Sequence, residues 1–335
     1  MSSSLSSPTT QWSISLRCAG AFLAFMLASS DAAASDEAPA ADSPGRTDVR
    51  VTSADDVSLF VRQYGAGDTP IVLLTGGPGY SGDYLEEVAV RLGEQHHALL
   101  PDQRGTGRSV INPWDASRIT TEASVADVEA LRVHAGAEQV VLVGHSWGGV
   151  LAMAYASRHG QRVRSLVLIG SGGATSEFTM RYSQNLMARL QPEDMQALFK
   201  AQLLMATDPE AATVAMIRAM NPAFILDREL ALSSADEYSS PAMLTPAVNI
   251  AMQAWLLQYD VTEGLAELDV PVLIVQGQQD PIGEQTARET AEIFSRSEVH
   301  LIDDAAHEPF LEQPEAFYAV VEPFLLEHAG EPTKD

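Results

Sequence analysis

Ser146 lies in a stretch whose residue types could perform nucleophilic chemistry. The apolar run Val140 to Val143 leads into Gly144-His145-Ser146-Trp147-Gly148-Gly149, and a helical pattern follows. A serine on a sharp strand-to-helix turn is held exposed, and glycines beside it allow close packing of the turn, as in a nucleophile elbow. A serine at an ordinary helix N-cap needs no glycines on both sides. The pattern therefore predicts that Ser146 is a nucleophile.

A serine hydroxyl needs a base to take its proton, and the base needs a carboxylate to orient it. After an elbow of this kind the expected chain order is serine, acid, histidine. Asp280 follows the apolar run Val272 to Val275, and His307 follows Val299 to Ile302. Because catalytic groups collect at the carboxyl ends of parallel strands, Ser146, Asp280 and His307 are predicted to form a catalytic triad.

Other acids and histidines are weaker candidates for the triad. Asp303 and Asp304 are alternative acids, but they share one loop with His307, and the chain order favours Asp280. The remaining histidines are expected to be structural or solvated from their positions near strand ends, near helix ends, beside the serine or in the tail: His96, His97, His134, His145, His159, His300 and His328.

The tetrahedral intermediate of acyl transfer also needs two hydrogen-bond donors for its oxyanion. One is expected to be the backbone N–H of Trp147, directly after the nucleophile. The other should come from the loop after the first parallel strand, which reads Thr75-Gly76-Gly77-Pro78-Gly79-Tyr80. This loop lacks the lysine and the spacing of a phosphate-binding P-loop.

The elements that must position these residues alternate between short apolar runs and amphipathic stretches, which predicts an α/β fold with a mostly parallel sheet and helices on both faces. Val49 to Thr52 and Ser58 to Tyr64 predict an antiparallel hairpin at the sheet edge. Residues 174–247 contain only helical patterns and are expected to form an inserted helical cap, or lid. The core would then comprise residues 47–173 and 248–330.

Composition excludes several classes of protein. The chain has 335 residues, with 20 Lys plus Arg against 45 Asp plus Glu, and a formal charge of -25. A protein with this much negative charge repels phosphate backbones and anionic lipids. Neither nucleic acid nor an acidic membrane surface is therefore an expected partner. The single cysteine, Cys18, can form neither an internal disulfide nor a cysteine-based metal site.

The first 34 residues are typical of a signal peptide. Arg17 precedes the apolar stretch Ala19 to Ala28, and Ala32-Ala33-Ala34 is a small-residue cleavage site. The stretch is too short to cross a bilayer, so no membrane span is expected in the mature chain. Residues 35–46 have the composition of a flexible leader. The protein is therefore expected to be exported, either to the periplasm or outside the cell, and to lose its cysteine with the signal peptide.

With these motifs the sequence resembles the alpha/beta-hydrolase superfamily and, within it, the proline iminopeptidase (prolyl aminopeptidase) family of serine peptidases. Gly76-Gly77-Pro78-Gly79 matches the family's His-Gly-Gly-Pro-Gly loop, with Thr75 in place of the histidine. Residues Asp102 to Ser109 match its Asp-Gln-Arg-Gly-x-Gly-x-Ser turn, in which Arg104 is expected to tie loops together by ion pairs. The elbow, Asp280 and His307 complete the resemblance, which covers residues 49–328.

The resemblance implies that Gly77 and Trp147 form the oxyanion hole. Members of the family typically recognise the free N-terminus of the substrate with lid glutamates, often near a Trp-Glu pair, which this sequence lacks. Glu177, Glu229 and Glu237 are substrate-binding candidates by location in the lid.

The expected function is therefore an aminopeptidase that releases N-terminal proline or other small residues from short peptides. The alternatives are an esterase or lactonase that acts on small hydrophobic acyl compounds and, in another class, a non-catalytic binding protein with this fold. A haloalkane dehalogenase is disfavoured because its nucleophile is an aspartate. No metal-ligand spacing is visible, so no metal or other cofactor is expected. The sequence leaves the oligomeric state open.

Overall fold

The computed structural model of the chain describes residues 45–329 and is organised around one eight-stranded sheet. The strands are β1 (Thr47–Thr52), β2 (Ser58–Tyr64), β3 (Ile71–Leu74), β4 (Ala98–Pro101), β5 (Val140–His145), β6 (Val163–Ile169), β7 (Val272–Gly277) and β8 (Ser297–Ile302). The predicted signal peptide, and all of the predicted leader except its last two residues, lie outside the described residues.

The strand order in the sheet is β1-β2-β4-β3-β5-β6-β7-β8. β1 pairs antiparallel with β2, and β2 pairs antiparallel with β4, whereas the remaining pairs are parallel. The predicted mostly parallel sheet with an antiparallel hairpin at one edge is confirmed. As a result β3, β5, β7 and β8 end at the same edge of the sheet.

Helices cover both faces because the central strands are apolar on both sides. In β5, Val140 and Leu142 join one hydrophobic cluster, whereas Val141 and Val143 join the cluster on the other face. The first cluster includes residues of α2 (Thr121–His134), α3 (Trp147–His159) and α9 (Glu284–Ala291). The second includes residues of α1 (Glu86–Gly93) and α11 (Pro314–His328), which follows the short α10 (Pro309–Glu312).

Five helices are inserted between β6 and β7. They are α4 (Phe178–Arg189), α5 (Pro192–Leu204), α6 (Pro209–Phe224), α7 (Arg228–Tyr238) and α8 (Pro246–Leu256). Residues of α4 to α6 bury a small hydrophobic cluster of their own, whereas Val248 and Met252 of α8 pack into the main core. The inserted segment is thus a layer of helices with its own core, fastened to the sheet by α8. Within residues 45–329 none of the helices is both long and apolar enough to cross a membrane.

The turn after β4 is held by buried ion pairs. Arg104 donates to both carboxylate oxygens of Asp127, at 2.7 and 2.6 Å, and pairs with Asp55 at 3.1 Å. Asp102 is fully buried, and its carboxylate accepts from the Arg62 guanidinium at 2.9 Å. The prediction that Arg104 ties loops together by ion pairs is therefore confirmed.

Candidate active site

Ser146 lies on the sharp turn between β5 and α3. Its backbone dihedrals are φ 55° and ψ -118°, a region that non-glycine residues rarely adopt and that costs about 1 to 3 kcal/mol. The Ser146 N–H donates to the Ile169 carbonyl at 2.9 Å, which ties the turn to β6. The glycine at 148 is needed because a Cβ there would lie 2.0 Å from the Leu74 carbonyl oxygen. The turn thus presents the serine side chain, which is half-buried, at the carboxyl edge of the sheet.

Asp280 and His307 meet in the loops that follow β7 and β8. His307 Nδ1 lies 3.0 Å from Asp280 Oδ2, and the other carboxylate oxygen accepts the Ile282 N–H at 2.8 Å. An ionised carboxylate only accepts, so Nδ1 carries the proton and Nε2 of neutral His307 is left as an acceptor. Asp303 and Asp304, the alternative acids, are exposed. Asp280 is therefore the acid that contacts this histidine.

The electrostatic surroundings of His307 favour its charged form. Burial alone lowers the pKa of His307, but the neighbouring Asp280 carboxylate, together with Glu308 and Glu312, outweighs it, and the pKa rises above its ordinary value. An acidic pocket that stabilises an imidazolium suits a residue that must accept a proton and hold it for part of a reaction.

No hydrogen bond joins the Ser146 hydroxyl to His307 within the described part of the chain. His145, the residue before the serine, does contact this histidine: the centroids of the two imidazole rings are 4.7 Å apart. Hydrogen bonds of catalytic groups are often long before substrate binds. The structure thus brings the three predicted triad residues to the same edge of the sheet. Of the two hydrogen bonds of a triad, it contains the one between Asp280 and His307.

Two backbone donors near the serine have no hydrogen-bond partner within the described residues. Among residues 45–329 neither the N–H of Gly77 nor that of Trp147 has a hydrogen-bond acceptor. The glycine loop lies directly against the serine, since a Cβ on Gly76 would come within 3.1 Å of the Ser146 Cβ. Unpaired N–H groups beside a nucleophile are the arrangement that binds a developing oxyanion.

Gln103, from the turn after β4, links the two segments that carry these donors. Its side-chain nitrogen donates to the Thr75 carbonyl at 2.8 Å and to the Thr75 hydroxyl oxygen at 2.7 Å. Its side-chain oxygen accepts from Trp147 Nε1 at 3.2 Å. Thr75, where the proline iminopeptidase pattern has histidine, therefore contributes to holding the loop, and its hydroxyl donates to the Tyr80 carbonyl at 3.0 Å.

The three predicted lid glutamates lie on the surface. Glu177, Glu229 and Glu237 are all exposed, at or near the ends of α4 and α7. The reason is helical geometry, because the buried faces of these helices carry apolar residues. Their assignment as substrate-binding residues stays a prediction.

Glu308 is the site residue that the sequence analysis missed. It directly follows His307, is 7% exposed, and accepts a 2.5 Å hydrogen bond from the Tyr238 hydroxyl of α7. Burial raises the pKa of Glu308 to about 7, although Tyr238 and His307 oppose the rise. In the described residues no Lys or Arg forms an ion pair with it. The available signal in the sequence was an acidic residue directly before the apolar stretch Pro309-Phe310-Leu311.

The rings of Tyr80, Tyr84 and Tyr238 pack together beside this carboxyl group, with centroid separations between 5.9 and 6.1 Å. Aromatic rings and a carboxylate are both groups that can bind a cation.

For metals the finding is negative, because no group of three or more His, Cys, Asp or Glu side chains in residues 45–329 is placed to hold an ion.

Comparison with known proteins agrees with this fold. A family model described as the alpha/beta hydrolase fold matches residues 69–314, so the chain belongs to the alpha/beta-hydrolase family. It is an enzyme of the serine hydrolase type, and within the family it is of the proline iminopeptidase-like kind. A proline iminopeptidase of Lactobacillus helveticus is 28% identical over 274 residues, which cover 77% of this chain and 90% of the relative.

Solved structures show the same fold. The crystal structure of a proline iminopeptidase from Mycobacterium smegmatis superimposes with a TM-score of 0.68 at 23% identity, covering 84% of this chain and 99% of that one. A thermophilic esterase from Thermogutta terrifontis gives a TM-score of 0.64, also at 23% identity, covering 84% of this chain and 98% of the esterase. Both peptidases and esterases therefore share this architecture, and the choice between them depends on the site.

Proposed function

We propose that this chain is an exported serine aminopeptidase that releases N-terminal proline, or another small residue, from short peptides. Ser146 Oγ attacks the carbonyl carbon of the first residue while His307 Nε2 takes the hydroxyl proton. Asp280 holds the imidazole through Nδ1, and the N–H groups of Gly77 and Trp147 bind the oxyanion. The curated proline iminopeptidase relatives support this assignment.

The remaining steps need water as the only further reactant. His307 returns the proton to the leaving amine as the C–N bond breaks, and the released residue stays bound to Ser146 as an ester. Water then attacks the ester carbonyl and gives a proton to His307. The C–O bond to Ser146 breaks, the serine regains its proton, and the free amino acid leaves.

The observation that carries the choice of an aminopeptidase is the buried carboxyl group of Glu308. A buried carboxylate without a cationic partner is costly, and such groups are normally paired. When His307 is neutral, as the reaction requires, the ammonium group of a free peptide N-terminus would supply the cation, held by Glu308 and by the rings of Tyr80, Tyr84 and Tyr238. A neutral acyl ester has no group that needs this carboxylate.

A panel of substrates tests the proposal. Proline and alanine anilides, the same anilides with a blocked amine, and simple acyl esters are compared for the natural protein. Glu308→Gln should lower the ratio of anilide to ester kcat/KM by about 10- to 100-fold, because the ammonium loses a charged acceptor. Glu315→Gln, an exposed glutamate of α11, is the matched control.

Each alternative corresponds to a distinct outcome. Hydrolysis of esters without hydrolysis of free-amine anilides would identify an esterase or lactonase. Absence of both activities, together with no labelling by a fluorophosphonate, would identify a binding protein. If labelling occurs, it should disappear in Ser146→Ala.

Export is the second part of the proposal and is supported by the arrangement of residues 1–34. Expression of the full chain in a Gram-negative host should yield a mature protein outside the cytoplasm that begins at Ser35. The readout is the mass of the N-terminal peptide after cell fractionation. An intact Met1 on protein that stays in the cytoplasm would contradict this part and leave the catalytic part unaffected.

A further inference from the structure

Tyr84 and His145 connect the three segments that carry the proposed catalytic groups. The Gly76 N–H donates to the Tyr84 hydroxyl oxygen at 2.5 Å, and this hydroxyl lies 2.9 Å from His145 Nδ1. On the far side of the ring, His145 Nε2 lies 2.9 Å from the His307 carbonyl oxygen. Gly76 precedes Gly77 in the loop of residues 75–80, the oxyanion loop. His145 precedes Ser146 in the elbow. One chain of hydrogen bonds therefore joins the oxyanion loop, the elbow and the histidine loop.

The chemistry of the partners gives the direction of these hydrogen bonds. A carbonyl oxygen only accepts, so His145 Nε2 carries a proton and donates it to His307 O. An amide N–H only donates, so the Tyr84 oxygen accepts from Gly76. Burial and the nearby His307 keep the pKa of His145 well below its ordinary value, so the ring is neutral. With its one proton on Nε2, His145 accepts the Tyr84 hydroxyl proton at Nδ1.

Packing leaves this chain of hydrogen bonds little freedom to rearrange. His145 is 3% exposed, and its ring contacts Tyr84 at 5.6 Å and Phe310 at 5.2 Å between centroids. A side chain at 76 would press on the same groups, because a Cβ there lies 3.1 Å from the Tyr84 hydroxyl and 3.3 Å from His145 Nδ1. Neither Tyr84 nor His145 belongs to the triad or supplies a donor to the oxyanion.

We propose that Tyr84 and His145 are positioning residues that hold the oxyanion loop in register with the elbow and with His307. The inference rests on the proposed function, since it assigns these residues to the same catalytic site. Small displacements of oxyanion donors matter because those donors act on the transition state more than on the bound substrate. The loss of this chain of hydrogen bonds should therefore lower kcat and leave KM nearly unchanged.

Tyr84→Phe is the first test, because it removes one oxygen atom and keeps the ring. We expect kcat for both anilide and ester substrates to fall about 10- to 100-fold, with KM changed less than about 3-fold. The α-amino boronic acid analogue of proline, which has a free amine and forms a tetrahedral adduct with the serine, should bind weaker by the same factor as the fall in kcat. The affinity for free proline, a product without that geometry, should stay within about 2-fold. A merely structural role would not separate these two ligands.

The matched control is Tyr155→Phe. Tyr155 is also a buried tyrosine, and its hydroxyl donates to Glu129 at 2.7 Å in α2, away from the site. Its kcat and boronic acid affinity should equal those of the natural protein. An equal fall in this variant would overturn the proposal, because the effect would then come from any lost buried tyrosine hydroxyl.

His145→Gln is the second test and remains available if Tyr84→Phe fails to fold. Glutamine can still donate to the His307 carbonyl, but it has no acceptor at the position of Nδ1. Because both substitutions break the same bond, their effects on kcat should be less than additive in the double variant. Additive effects, or a Tyr84→Phe variant with natural kcat and boronic acid affinity, would overturn the positioning role. If the natural protein neither hydrolyses the panel nor reacts with the fluorophosphonate, the proposed function itself fails.

Discussion

The Tyr238 hydroxyl donates to the Glu308 carboxylate across 2.5 Å, and this bond joins helix α7 of the cap to the residue next to His307. The cap also contacts the same loop through its backbone, since the His307 N–H donates to the Phe224 carbonyl at 2.8 Å. A change in the protonation of Glu308 therefore acts where the cap contacts the loop that carries His307.

The stability of the protein should depend on the protonation of Glu308. Burial raises its pKa from 4.5 to about 7 in the folded state, so the folded protein holds a proton that the unfolded chain releases. The stability that the protonated Glu308 gives the folded state is therefore fully present below pH 4.5. It is lost as the pH rises towards 7. Above pH 7 the buried charge costs about 3 kcal/mol. Glu308→Gln should thus be more stable than the natural protein at pH 8, but not at pH 4.

Urea denaturation at the two pH values measures this difference. Glutamine keeps the oxygen that accepts from Tyr238, so the substitution removes the charge and preserves the hydrogen bond. The exposed control Glu315→Gln should change the free energy of unfolding by less than about 0.5 kcal/mol at either pH. An equal gain at pH 4 and pH 8 would show that the carboxyl group does not titrate in this range.

The pH profile of activity should differ between substrates with and without an amine. His307 must be neutral to accept the serine proton, and its pKa lies above 6.5, so ester hydrolysis should rise with pH through that region and then level off. Anilide hydrolysis requires in addition an ionised Glu308 and an ammonium group, whose pKa is about 7.7 to 8.0. Its kcat/KM should therefore rise and then fall. Stopped-rate assays from pH 5 to about 9.5 would detect this, and two superimposable profiles would contradict a role of the amine.

The buried ion pairs of the turn after β4 should contribute far more to stability than exposed ones. Arg104 is 2% exposed and pairs with Asp127, which is 6% exposed. Arg104→Met leaves that carboxylate buried without its cation and should cost about 3 to 5 kcal/mol. The exposed pair between Arg288 and Glu284 is the control, and Arg288→Met should cost less than about 1 kcal/mol. Similar losses in the two variants, measured by urea denaturation, would show that Arg104 acts only as a surface charge.

The positions of the strands along the chain and the place of the predicted triad could be anticipated because both depend on local patterns. Val140 to Val143 is apolar throughout, as a strand covered on both faces must be, and the glycines around Ser146 report a turn. Asp280 and His307 follow strands that end at the same edge of the sheet. The pairing of Asp280 with His307 then follows from topology and agrees with the structure.

The role of the cap could not be anticipated in the same way, because it depends on contacts between distant segments. Glu237 and Tyr238 are neighbours in α7, yet the tyrosine contacts the site and the glutamate is exposed. Helix periodicity indicates a buried face but not the element that this face contacts. Likewise, the sequence treats His145 as a structural neighbour of the serine, and only the fold places its ring against His307.

Glu312 provides a final prediction about how the cap is fastened. Its two carboxylate oxygens accept the Leu226 N–H at 2.6 Å, from the connection between α6 and α7, and the Ala306 N–H at 2.7 Å, next to His307. An amide has one acceptor oxygen, so Glu312→Gln must leave one N–H without a partner and should cost about 1 to 3 kcal/mol. Because the freed segment includes Ile225 and Leu226, thermolysin should cleave there faster than in Glu315→Gln. Unchanged cleavage and stability would show that the cap is held by its apolar contacts alone.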